Sequence, residues 1–210
     1  MPEERELKFS VLDPRVPATE ELAAALAPLQ VRSAPEEAIL DRYYDDDAGS
    51  LRAAGLALRR RRIGDRAWAG LKQQGERDGA LHRREELEVP LASTADEAPW
   101  PDAVLERLEG VVDAAALRLR VALETTRVPF LIRNDGTDLA VLAFDAVTAR
   151  APGLERSALF DEVEVEALAQ SATRDELERI GEAVDALVKL TANPVNKLER
   201  AEALLLLAGW

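Results

Sequence analysis

Alternation of charged and apolar residues runs along much of the chain and predicts its strands. In Glu4-Arg5-Glu6-Leu7-Lys8, continuing through Phe9 and Val11, successive side chains of a strand point to opposite faces. Glu4, Glu6 and Lys8 therefore line one side, while Arg5, Leu7, Phe9 and Val11 line the other. The device recurs. Residues 56–63 place Arg59 and Arg61 on one face and Arg60 and Arg62 on the other, and after a Gly64-Asp65 hairpin turn residues 67–72 return antiparallel. In residues 82–89, Arg84, Glu86 and Glu88 share a face. In residues 160–166, Glu162, Glu164 and Glu166 stand opposite Val163 and Val165.

Less regular runs fill the intervals. Residues 31–44 read as one strand ending in Asp45-Asp46-Asp47, a solvated turn. Residues 117–132 form a long strand or a bulged pair whose register stays open. Asn134-Asp135-Gly136 is a turn, and residues 139–148 make a strand that contains Asp145. Helices are predicted from Thr19 as N-cap, with Leu22, Leu26 and Leu29 on one face and a stop at Pro28. A helical turn over residues 50–55 closes on Gly55, and a short helix lies near residues 104–108. Thr173-Arg174-Asp175-Glu176 is a capping box for a helix through about Leu190. The last helix, residues 196–207, follows Asn193-Pro194, begins with Lys197 and carries Leu204 to Leu207 as a packing face. The polar, proline-bearing stretch 90–101 is either a sub-boundary or an insertion between halves of one barrel.

Strands charged on one face and apolar on the other can close into a barrel with a polar lumen, its outer face covered by helices or by a partner, a second copy included. The 210 residues fit one domain, 1–210, in the α+β class. Hydrophobic residues make up 47% and aromatics 4%, which allows a core of Leu, Val and Ala. There is no cysteine, so disulfides, thiolate metal sites and thiol nucleophiles are excluded. The N-terminus lacks the apolar core of a signal peptide and no stretch is long enough to span a bilayer, so a soluble, cytoplasmic protein is expected.

Charge sharpens the chemistry. With 27 Lys and Arg against 40 Asp and Glu, the formal net charge is −13, which argues against binding duplex nucleic acid or anionic membranes. A single histidine, His82, leaves little room for imidazole metal sites or a Ser-His-Asp arrangement. Catalysis must then come from carboxylates, lysines, arginines and metal ions. If Glu4, Glu6, Glu86, Glu88, Glu162, Glu164 and Glu166 share a lumen, they need positive partners. Lys8, Arg59, Arg61, Lys72, Arg84 and Arg127 could serve alone, giving a salt-bridged barrel without chemistry. Desolvating so many charges is costly, and a ligand that uses both sets explains them better. Carboxylate clusters suit Mg²⁺ or Mn²⁺, and arginine forks match phosphate oxygens. A metal-bound chain of phosphates satisfies both.

In this ordered set the sequence resembles the CYTH, or triphosphate tunnel metalloenzyme, family. Its Glu-x-Glu-x-Lys signature is matched by Glu4, Glu6 and Lys8. The family's Tyr-Phe-Asp and Leu-Arg-x-Arg elements are matched by Tyr43-Tyr44-Asp45 and Leu58-Arg59-Arg60-Arg61. Lys72, Arg84-x-Glu86-x-Glu88, Arg127, Asp145 and Glu162-x-Glu164-x-Glu166 follow in the family's order, and Lys197 stands where a C-terminal plug helix carries a lysine. Gly70 and Thr125 depart from the pattern, where members often have Thr and some have Lys; each departure removes one phosphate donor.

The resemblance implies an eight-stranded antiparallel tunnel with flanking helices and a C-terminal plug helix, and hydrolysis of a triphosphate. Lys8, Arg59, Arg61, Lys72, Arg84, Arg127 and Lys197 would be the catalytic and substrate-binding residues. Glu4, Glu6, Glu86, Glu88, Asp145, Glu162, Glu164 and Glu166 would hold Mg²⁺ or Mn²⁺. Inorganic tripolyphosphate is the first choice of substrate; ATP cyclisation, thiamine triphosphate hydrolysis and a non-catalytic polyphosphate- or nucleotide-binding module are the alternatives.

Overall fold

The computed structural model describes residues 3–95, 98–168 and 170–209. In chain order the strands are β1 (Glu3–Val11), β2 (Gln30–Ser33), β3 (Glu37–Asp45), β4 (Leu56–Ile63), β5 (Arg66–Gln73), β6 (Glu76–Asp78), β7 (Leu81–Pro90), β8 (Arg118–Asn134), β9 (Thr137–Arg150), β10 (Ala158–Ala167) and β11 (Leu190–Ala192). The helices are α1 (Thr19–Ala25), α2 (Ser50–Ala53), α3 (Asp102–Leu108), α4 (Arg174–Val188) and α5 (Lys197–Leu207).

Eight strands pair antiparallel in the order β1-β10-β9-β8-β3-β4-β5-β7, and β7 returns to β1 to close the barrel. The short β2, β6 and β11 add to β8, β7 and β1. Directly opposed residues of an antiparallel pair share a face. The register places Lys8 opposite Glu164, Glu162 opposite Asp145, Asp145 opposite Arg127, Asp41 opposite Arg61, Lys72 opposite Glu86 and Glu4 opposite Arg84. The charged faces of distant strands therefore converge on one lumen.

The apolar faces look outward and are covered. Against Leu7, Val163 and Val165 of β1 and β10 lie Leu22 of α1 and Leu177, Ile180 and Val184 of α4. A Cβ on Gly181 would come 2.8 Å from the Phe9 ring, so only glycine lets α4 approach β1 this closely. On the other side, Val104 and Leu108 of α3 and Leu51 of α2 cover Leu58, Ala69 and Leu71. α5 instead seats Ala201 and Leu205 on Leu123, Val147 and Phe160, which share the lumen parity, and so plugs that end with apolar side chains. No helix among the described residues is long and apolar enough to cross a membrane.

Local details differ from the sequence reading where backbone chemistry outweighs pattern. The expected strand over 31–44 is two, because Ala34-Pro35-Glu36 interrupts it and Pro35 has no N–H for a ladder; both pieces pair with β8. β8 is one continuous strand, with register shifts opposite Tyr43/Tyr44 and at Ile132/Arg133. Thr19 lies inside α1 rather than capping it, and Glu21 accepts the Ala18 N–H at 2.8 Å. The helix expected to run to Leu190 stops at Val188, after which Leu190 opens β11 beside β1. The 74–79 loop contains β6. Of the Leu204–Leu207 face, Leu205 is fully buried, while Leu206 and Leu207 are 59% and 86% exposed. The expected Asp45-Asp46-Asp47 turn is solvated only at Asp47: Asp45 ends β3 and accepts from Leu51 N and Arg52 N, and half-buried Asp46 accepts from Ser50 N and Oγ, so both acids serve the first turn of α2.

Candidate active site

Lys8, at the centre of β1, is 2% exposed and donates to Glu6 at 2.8 Å and to Glu164. Arg84, paired across β1–β7, donates to Glu4 at 2.7 Å and Glu6 at 2.6 Å. Lys72 bridges Glu4 at 3.1 Å and Glu86 at 3.0 Å. Arg59 reaches Glu86 at 2.9 Å and Glu88 at 3.2 Å on one side and Asp41 at 3.7 Å on the other. Asp41 in turn accepts from Arg61 Nε and Nη2, both at 2.8 Å. On the far wall Arg127 donates to Asp145 at 2.8 and 2.6 Å and to Glu164 at 2.5 Å. The ammonium of Lys197, delivered by the first residue of α5, lies 2.6 Å from Asp145, 3.0 Å from Glu162 and 3.6 Å from Glu164.

Every candidate site residue on a strand thus has lumen parity, and Lys197 reaches in from α5. Glu88 stands at the lumen rim with its side chain 41% exposed, and Glu166 has no ion pair within 4.0 Å among the described residues. A cavity of about 360 Å³ is lined by the lumen cations together with Glu4, Glu6, Glu164 and Glu166, while Asp41, Glu86, Glu88, Asp145 and Glu162 lie outside that lining. Arg60 and Arg62 have the opposite parity, and Arg60 stacks on the Trp100 ring at 4.0 Å instead.

The sequence reading passed over Asp41. It is 1% exposed and flanked by Ile39 and Tyr43 on the same β3 face, so alternation within residues 39–43 would have placed it. His82 also has lumen parity, opposite Glu6, but its Nε2 lies 3.0 Å from the Asn193 carbonyl, tying the segment before α5 to the barrel. Thr125 Oγ1 and Arg59 Nε are buried without hydrogen-bond partners. Gly70 is where the Arg59 stem crosses β5, since a Cβ there would sit 3.1 Å from Arg59 Nε and 3.2 Å from Cγ.

The electrostatics follow from burial opposed by pairing. Burial works against ionisation of Glu4 and Asp41, yet Lys72 and Arg84 hold Glu4, and Arg61 and Arg59 hold Asp41, well below the usual carboxylate range. Despite burial, Glu164 and Glu6 raise the Lys8 ammonium, and Asp145 and Glu162 raise that of Lys197. Lys72 goes the other way, lowered by burial and by Arg59 and Arg84. Burial pushes the Glu162 carboxyl up against the pull of Lys197. Glu166 is pushed up to about 7 by burial and by Glu4, Glu6 and Glu164.

Asp145, Glu162 and Glu164 offer carboxylate oxygens within 4.8 Å of one another. They form a buried acidic cluster suited to a hard cation. Although Lys197 lies within ion-pairing distance, neither Glu162 oxygen receives a well-directed hydrogen bond, so this cluster retains acceptor capacity. The donor set fits a divalent ion.

A model of the CYTH domain matches residues 2–201. The chain belongs to the CYTH family. Three solved structures share the fold of this CYTH protein. A Hippeastrum protein, named as a candidate adenylyl cyclase and described as having a dominant triphosphatase activity, superposes with a TM-score of 0.65 at 16% identity, covering 95% of each chain. A Bacillus halodurans candidate adenylate cyclase gives 0.55 at 16% identity, covering 95% of this chain and 98% of its own. A Pyrococcus horikoshii protein gives 0.55 at 19%, covering 97% and 98%. No curated protein sequence matches the chain significantly.

Proposed function

We propose that the lumen binds a triphosphate with Mg²⁺ or Mn²⁺ and hydrolyses it, with inorganic tripolyphosphate as the first substrate and pyrophosphate and phosphate as products. The observation that supports this most is one unbroken network. It runs from Lys197 through Asp145, Arg127, Glu164 and Lys8 to Glu6 and Arg84, and on through Glu4, Lys72, Glu86 and Arg59 to Asp41 and Arg61. Buried ion pairs rarely stabilise a fold better than apolar packing of the same volume, so so long a chain of them is better explained by a ligand. Contributions from all eight barrel strands to one lumen support reading residues 1–210 as one domain. CYTH membership agrees with triphosphate chemistry.

Lys8, Arg59, Arg61, Lys72, Arg84 and Arg127 grip the phosphate chain, and Lys197 closes one end. Glu4, Glu6, Glu86, Glu88, Asp145, Glu162, Glu164 and Glu166 are the carboxylates available to hold metal. A divalent ion held by them would supply positive charge against the phosphate oxygens and a site for the attacking water. Water adds to the terminal phosphorus as the bridging P–O bond breaks and pyrophosphate leaves. The lumen bases hold the phosphates in line and absorb the charge that develops, which is most of what phosphoryl transfer requires. No thiol or imidazole nucleophile is needed.

Phosphate release from tripolyphosphate, ATP and thiamine triphosphate, measured side by side with Mg²⁺ and Mn²⁺, tests the reading. Fastest release from tripolyphosphate is expected. Consumption of ATP without phosphate release points to cyclisation, preference for thiamine triphosphate to that hydrolysis, and binding without turnover to a non-catalytic module.

A further inference from the structure

We propose that Asp41 is a positioning residue that holds Arg59 and Arg61 in the geometry needed to grip the phosphate chain. The inference rests on the triphosphatase reading and adds a residue to it.

Asp41 sits in the middle of β3, opposite Arg61 of β4, and both lie on the lumen face. Its two oxygens accept separately from Arg61 Nε and Nη2, a forked arrangement that fixes the plane of the guanidinium as well as its distance. The same carboxylate lies 3.7 Å from Arg59 Nη1. Arg59 is therefore braced between Asp41 and the Glu86–Glu88 pair, with its stem laid over Gly70 and its Nε left without a partner. Arg59 and Arg61 are the lumen-facing arginines of β4, and a free arginine side chain has many rotamers to lose on binding. One buried acid thus pre-orients two cations on the same wall.

Asp41 is distinct from the carboxylates that come together as a cation cluster, which among the described residues are Asp145, Glu162 and Glu164. Both of its oxygens are taken by Arg61, so what it does is hold arginines. Its carboxyl stays ionised in spite of burial because those arginines face it.

The test is steady-state hydrolysis of tripolyphosphate with Mg²⁺ by wild type, Asp41→Asn, Arg61→Ala and the double variant. Asparagine keeps the shape but turns an N–H₂ toward the guanidinium, so the clamp loosens. We expect kcat of Asp41→Asn to fall by about 10²-fold, the scale of a roughly 1 Å misplacement of a gripping group. KM should rise several-fold, since both arginines that Asp41 orients grip the phosphate chain. In the Arg61→Ala background the same substitution should change kcat by only a few-fold, because its forked partner is gone and the more distant Arg59, also braced by Glu86 and Glu88, is all that is left for it to hold.

An unchanged kcat, an unchanged KM, or the same fold-loss in both backgrounds would overturn the proposal; the last is what a merely structural role produces. If Asp41→Asn does not fold, Asp41→Glu replaces it. That variant keeps the charge and displaces it by one methylene, and wild-type kcat there would equally contradict positioning. Absence of turnover in the wild-type protein would refute the underlying triphosphatase reading instead.

Discussion

The ammonium of Lys197 lies 2.6 Å from the Asp145 carboxylate, in the one place among the described residues where three carboxylates come close enough to share a cation. The plug helix thereby couples closure of one barrel end to the charge balance of the lumen. Removing one partner of a buried ion pair leaves an uncompensated charge, which destabilises by about 3–5 kcal/mol.

Lys197→Met should therefore lower the melting temperature in metal-free buffer. Mg²⁺ or Mn²⁺ should raise it again by more than either raises that of the wild type, because the ion replaces the missing ammonium. Thermal melts with EDTA and with each metal measure both effects, and equal metal responses in the two proteins would contradict the account.

Glu166 gives a pH signature. Its folded-state carboxyl titrates near 7, above the ordinary glutamate value of 4.5, so over that interval the folded state binds more protons than the unfolded one. Its contribution is complete below about pH 4.5 and is lost as pH rises toward 7. Urea midpoints from pH 5 to pH 8 should decline with a component that Glu166→Gln removes. The depressed carboxyls of Glu4 and Asp41 act oppositely, and their contribution disappears in acid below about pH 4.

Gly70 leaves the space that the Arg59 stem fills. Gly70→Ala sets a Cβ 3.1 Å from Arg59 Nε, so the side chain must shift by a few tenths of an ångström while the fold is kept. A several-fold rise in KM for tripolyphosphate with an unchanged urea midpoint is expected; unchanged KM would show that the Arg59 posture is irrelevant to binding.

Gly181 tests packing apart from chemistry. Gly181→Ala forces α4 away from Phe9, where overpacking typically costs about 1–3 kcal/mol. Urea denaturation should show that loss, whereas kcat of the folded enzyme should not change.

Legibility divided along a physical line. Residues whose role depends only on strand parity were readable: Glu4-x-Glu6-x-Lys8 and Glu162-x-Glu164-x-Glu166 declare their face by alternation, and closure brings both faces to one lumen. Asp41 escaped because residues 31–44 read as one strand from their apolar and aromatic content, with no face assigned to the single acid between Ile39 and Tyr43. Features set by backbone hydrogen bonding were harder still. Pro35 splits a strand by withholding one N–H, and Leu190 leaves the helical pattern because β1 offers a free edge. The space above Gly70 exists only once β4 and β5 are side by side.

Anomalous diffraction from crystals grown with Mn²⁺ and a non-hydrolysable triphosphate analogue tests the central claim most directly. The account predicts manganese peaks inside the barrel, within about 2–2.5 Å of lumen carboxylate oxygens, with the phosphate chain between Lys8, Arg59, Arg61, Lys72, Arg84 and Arg127. Manganese and analogue found only on the outer surface, with the lumen ion pairs intact, would contradict it.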